Sequence, residues 1–113
     1  MKFLLDIFSK VPVTVLLLIS ALFVIAGDFF AKYWSVHRGW LLFVIAFITY
    51  SLSGFFYIPT LLREGLVVTA LMWTLLATIG FVLIGLLIFK ESLTPLQIIG
   101  VITGIISLMI LNI

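Results

Sequence analysis

Asp28 and Lys32 stand four positions apart near the end of a long apolar run, in the stretch AGDFFAKYW. On a helix they stack on one face. The whole chain carries six basic and four acidic residues, so a pair at this spacing invites a reason. Three uses fit: an anchor holding a helix end at a membrane surface, an ion pair facing a substrate, or a proton-exchange site. The last requires burial to dominate the carboxylate, and a lysine one turn away works against that. Further along, Tyr50, Ser53 and Tyr57 fall at i, i+3 and i+7 and make one polar-aromatic stripe. Thr69 and Trp73, then Ala77 and Gly80, share a face in a later segment. Rings with hydroxyl donors suit a cavity that receives a sugar or an amphipathic molecule. The same stripes also serve as plain helix packing, with hydroxyls bonding back to their own helix.

Other chemistries lack their residues. There is no cysteine, so disulfides, thiolate nucleophiles and cysteine metal sites are excluded. The single histidine, His37, has Asp28 as its nearest carboxylate and reads as a solvated loop residue beside Arg38. No Ser/His/Asp grouping, phosphate-cradling glycine loop or zinc spacing occurs. The expectation is a protein that is not an enzyme and uses no metal or cofactor. A net charge of +2, dispersed along 113 residues, does not suit nucleic-acid binding.

The elements that must position these residues are membrane helices. The chain is 65% hydrophobic and 9% charged, and apolar runs of about 18 or more residues indicate spans. Four are expected, over about 11–31, 40–62, 65–89 and 95–113, within a four-helix transmembrane domain 11–113. Each holds roughly 19–25 residues, enough for about 30 Å of hydrocarbon at 1.5 Å per residue. A first span ending at Ala31 sets Asp28 about three residues, or 5 Å, from the far interface. The connections KYWSVHRG, REG and KESLT are short, and Arg63-Glu64 marks the middle one. Thr94-Pro95-Leu96-Gln97 has the form of a helix cap. The apolar stretch from Val11 exceeds the usual signal-peptide core and no small-x-small cleavage site follows, so it reads as a retained span. Residues 1–10 carry Lys2, Asp6 and Lys10 at four-residue spacing opposite Phe3, Leu4, Ile7 and Phe8. That pattern predicts an interfacial amphipathic helix. With four spans, Lys2, Lys10 and Arg63 fall on one side and Lys32, Arg38 and Lys90 on the other. Three against three leaves the positive-inside rule little to act on, which would permit insertion in both orientations.

These residues resemble the small multidrug resistance proteins and their relatives in the drug/metabolite transporter superfamily, over about residues 13–113. Lys32 matches the lysine closing the family's first helix, Tyr50 a pocket tyrosine of the second, and Trp73 a tryptophan of the third. Gly100 with Ser107 matches small residues seven apart on the fourth-helix dimer face, and ESLTPLQIIG followed by ILN matches the usual ending. One departure stands out. Drug exporters of the family carry a glutamate eight residues before the lysine, and here that position is Val24. The glycine pattern after the tryptophan also differs, reading WTLLATIG. VIAGDFFAK looks more like glutamate-lacking relatives, among them the flippase subunits for lipid-linked aminoarabinose.

The resemblance implies an all-α bacterial inner-membrane protein, working as a homodimer (antiparallel in dual-topology members) or as a heterodimer with a similar subunit. Asp28, Lys32, Tyr50, Ser53, Tyr57 and Trp73 are the expected substrate-facing residues. Gly100, Gly104 and Ser107 are the expected dimer contact, since small residues let helix backbones approach closely in lipid. The leading expectation is a transporter or flippase subunit for an amphipathic or lipid-linked polar substrate. Two alternatives stand beside it: a proton-coupled cation exporter using Asp28, and a non-transporting subunit packed in a larger membrane complex.

Overall fold

The computed structural model describes residues 2–113. Its regular elements are helices: α1 (Lys2–Ser9), α2 (Val13–His37), α3 (Trp40–Tyr57), α4 (Leu66–Leu83) and α5 (Pro95–Leu111). A 3₁₀ segment, Ile58–Leu62, continues α3, and a π-helical segment, Ile84–Ile88, continues α4. Val13–His37, Trp40–Leu62 and Leu66–Ile88 are long and apolar enough to cross a membrane, which marks the chain as a membrane protein. Helix α5 is apolar but shorter, at 17 residues.

Local chemistry sets the boundaries. Pro12 stands at the cap of α2 in an extended conformation, so α2 starts at Val13 and α1 is a separate helix. Helix α2 does not stop near Ala31 as the sequence had predicted. The segment Lys32-Tyr33-Trp34-Ser35-Val36-His37 contains no glycine or proline, and the helix runs through it. It ends where Arg38 turns left-handed, at φ 51°, and returns its N–H to the Trp34 carbonyl. Asp28 therefore lies nine positions, about 14 Å, before the helix end rather than three. Pro59 sits at the start of the 3₁₀ segment, where its missing N–H ends regular α-helical bonding. Thr94 and Gln97 form a reciprocal capping box at the start of α5.

Helix α2 is the centre of the bundle. It packs antiparallel to α3 and parallel to α4, whereas α5 packs chiefly on α4. The result is a slab of 47 × 39 × 17 Å. The α2–α3 contact is pinned by buried serines. Ser20 donates to the Ser53 carbonyl at 2.7 Å, Ser53 donates to the Ser20 carbonyl at 2.8 Å, and the two hydroxyls lie 3.0 Å apart. Such bonds and close packing hold helices together where lipid removes the hydrophobic drive. Leu16, Leu17 and Ala21 of α2 and Ala46 of α3 are buried as well. Phe23 stacks on Phe56 at 5.5 Å. Between α2 and α4 the backbone at Gly80 comes so close that a Cβ there would overlap the Ile25 side chain.

Candidate functional site

Helices α3 and α4 splay apart over α2 and leave an open cleft of about 420 Å³. Tyr50, Ser53 and Tyr57 of α3 form one wall, Trp73 and Thr74 of α4 the other, and Val24 of α2 lies between them. The stripe at 50, 53 and 57 and the tryptophan at 73 thus meet in one place. At one end the cleft is closed by aromatic contact, with the Tyr57 and Trp73 rings 5.6 Å apart at 65°. The Trp73 indole N–H donates to the Ser20 hydroxyl at 3.0 Å, so the same serine pair that joins α2 to α3 fixes the ring. An indole tied at its one polar atom presents a fixed apolar face to the cleft. Ser53 is itself buried and committed to Ser20. Its role here is to set the wall rather than to offer a free hydroxyl.

On α4, Thr69 and Ala77 are buried and Gly80 meets Ile25. That face is the contact with α2, with Trp73 at its edge on the cleft.

The charged residues occupy a second recess, of about 390 Å³, lined by Asp28, Lys32, Phe81, Gly85, Phe89 and Glu91 among others. Here Asp28 and Lys32 each take a partner other than one another. Lys32 Nζ lies 3.5 Å from Glu91 Oε1, the ion pair found within 4.0 Å among the described residues. Asp28 instead accepts a 2.6 Å hydrogen bond from the Tyr50 phenol. Glu91 is the residue that sequence reasoning missed, because it sits in the connection before α5 with no helical register to relate it to Lys32. The π-helical segment and the left-handed Lys90, at φ 51°, bring it back: the Glu91 N–H bonds to the Gly85 carbonyl at 2.9 Å. A Cβ at Gly85 would lie 3.5 Å from the Glu91 carboxylate, in ordinary contact.

Tyr50 joins the two recesses. Its ring lines the cleft while its hydroxyl reaches Asp28. Gly27 makes the reach possible, because a Cβ at that position would lie 2.8 Å from Tyr50 Cδ1 and Cε1. Gly27 is buried, and the glycine next to Asp28 therefore has a packing reason.

Arg63 does more than mark a turn. Its guanidinium donates to the carbonyls of Phe8 and Ser9 at 3.1 and 3.4 Å and to that of Val11. It thereby satisfies the end of α1, whose last carbonyls have no partner within the helix. His37 stacks beside Tyr33 at 4.5 Å at the end of α2. Gly100 and Gly104 have no atom within 4 Å of an added Cβ, and Ser107 is exposed. Helix α5 turns Val101, Ile105, Leu108 and Asn112 toward α4, where the Asn112 amide donates to the Leu71 carbonyl at 3.2 Å. Its small residues face away from the rest of the chain. No group of three metal-ligating side chains occurs among the described residues.

No family model matches the chain, and no curated protein matches it.

Proposed function

We propose that this chain is a small transporter or flippase subunit of the bacterial inner membrane, similar in kind to the drug/metabolite transporters. It pairs with a second copy or a similar subunit and moves an amphipathic or lipid-linked polar substrate by alternating access. The carrying observation is the cleft over Val24, walled by Tyr50, Tyr57 and Trp73. It is an open half-chamber, aromatic and apolar, with hydroxyls at its edge and no carboxylate among its lining residues. Such a surface suits rings and chains carrying a few polar groups. In this reading α5 is the fourth crossing, about 26 Å long, and its free face of Gly100, Gly104 and Ser107 holds the partner so that two clefts enclose one pathway. No residue acts as a catalyst, and no metal or cofactor takes part.

A second reading, proton-coupled export with Asp28 in place of the glutamate, draws on the depth of Asp28 within α2 and its bond to Tyr50. The first reading is tested by reconstituting purified protein in liposomes with a panel of lipid-linked sugars and organic cations. Trp73→Ala is expected to lower transport at least tenfold while leaving dimers intact. Gly104→Leu is expected to disperse the dimer while leaving the fold intact, because nothing in the chain packs there. Normal transport by Trp73→Ala removes the cleft from the pathway.

A further inference from the structure

At the end of the bundle away from the Lys32–Glu91 pair, α1 lies across the junction of α2, α3 and the 3₁₀ segment. It is held by Phe8, which meets Phe55 and Phe56 edge-on at 5.4 and 6.0 Å. Beside that contact runs an open groove of about 520 Å³, walled by Leu4 and Leu5 on one side and Phe55, Ile58, Pro59 and Leu61 on the other. Its volume lies within the roughly 300–1,000 Å³ of ligand sites, and its lining is apolar. The groove shares Leu5, Phe8, Pro59 and Leu62 with a smaller recess of about 260 Å³, where Asp6, Ser9 and Arg63 supply polar atoms. Tail-shaped space thus leads to a polar mouth.

The mouth is lined by one charge of each sign, Asp6 and Arg63, and Arg63 is the one with donors to offer. Arg63 spends three donors on the carbonyls of Phe8, Ser9 and Val11. A guanidinium has five N–H donors, so about two remain. Backbone carbonyls orient the group but leave its full charge uncompensated, and among the described residues no carboxylate lies within 4.0 Å of it. Counting Lys2, Lys10 and Arg63 against Asp6 and Glu64, this end of the molecule has three positive and two negative charges and is net positive by one. A held guanidinium with spare donors matches a phosphate diester.

We propose that this groove binds an anionic phospholipid of the surrounding bilayer, with one acyl chain between α1 and the 3₁₀ segment and its phosphate on Arg63. The lipid would fasten α1 to the bundle at the headgroup level. The site is separate from the transport cleft and stands whether or not the cleft carries substrate.

The test uses the full chain in vesicles of phosphatidylcholine containing a trace of acyl-photoactivatable phosphatidylglycerol or, separately, phosphatidylcholine carrying the same photoactivatable chain. Labelled peptides are mapped by mass spectrometry. The phosphatidylglycerol probe is expected to label residues 4–8 and 55–62 at least fivefold more than the phosphatidylcholine probe. Arg63→Gln should remove that preference, and Arg38→Gln, at the other end of the bundle, should keep it. Because Arg63 also secures α1, Ile58→Trp serves as the second variant: it fills the groove, leaves Arg63 in place and should lower labelling by both probes at least fivefold. Equal labelling by the two probes in the unaltered protein would overturn the proposal. So would undiminished labelling in Ile58→Trp.

Discussion

The Tyr50 phenol donates to Asp28 Oδ1 at 2.6 Å, across 22 residues of sequence and from one helix to its antiparallel neighbour. The bond depends on Gly27, over which the Tyr50 ring lies. One side chain therefore couples the aromatic cleft to the recess that holds the charges, and any change at residues 27, 28 or 50 is felt on both sides.

Gly27→Ala places a methyl where the Tyr50 ring now sits, and the ring, which is 37% exposed, swings outward. Overpacking costs about 1–3 kcal/mol, while alanine returns roughly 1 kcal/mol of helix propensity. A net loss of about 1 kcal/mol is expected in detergent unfolding. Tyr50→Phe also breaks the bond, so the double variant should lose clearly less than the two singles added, as a double-mutant cycle would read.

Asp28→Asn separates the two functional readings. The amide still accepts from the Tyr50 phenol, so the fold is expected to hold within about 1 kcal/mol. In a proton-coupled exporter the pH dependence of transport disappears with the carboxylate. In the flippase reading transport rates keep the same pH profile, measured in liposomes between acid and neutral pH.

Ser20→Ala removes the acceptor of the Trp73 indole and the donor to the Ser53 carbonyl. Leaving buried polar groups unmatched costs about 1–3 kcal/mol, and helix–helix bonds in membranes average roughly 0.6 kcal/mol. A loss of about 1–2 kcal/mol is expected. In a Trp73→Phe background there is no indole N–H to strand, and the same substitution should cost less.

Gly80→Ala drives a methyl into Ile25. The expected cost is about 1–3 kcal/mol, with α2 and α4 forced apart. Ile25→Ala opens the space that the new methyl needs. The double variant should therefore be more stable than the sum of the single losses predicts, by about 1 kcal/mol or more. Simple additivity in thermal unfolding would place the α2–α4 contact elsewhere.

Much of the architecture was legible because it depends on short-range order. Apolar run lengths pointed to four spans, and three of those segments are helices of membrane-crossing size while the fourth is shorter. The Thr94–Gln97 spacing gave the capping box, and helical period put Tyr50, Ser53 and Tyr57 on one wall. The same short-range logic misled at Lys32. A search within four residues finds Asp28, yet the fold gives Lys32 to Glu91, 59 positions on, and Asp28 to Tyr50. It also cut α2 short, because polar and aromatic residues after Ala31 looked like a loop although nothing there breaks a helix.

The sequence by itself determined roughly where the helices lie, which segments are apolar enough for lipid, and which residues share a face, since all three follow from a period of 3.6 and a run of side chains. Tertiary structure alone decided who meets whom. The crossing of α2 with α3 and α4 sets the cleft, the π-helical segment returns Glu91 to Lys32, and α1 folds back onto Arg63. Partners on different helices are chosen by how closely the backbones can approach. That approach rests on two glycines, Gly27 and Gly80, whose missing side chains have meaning only once a neighbour lies against them.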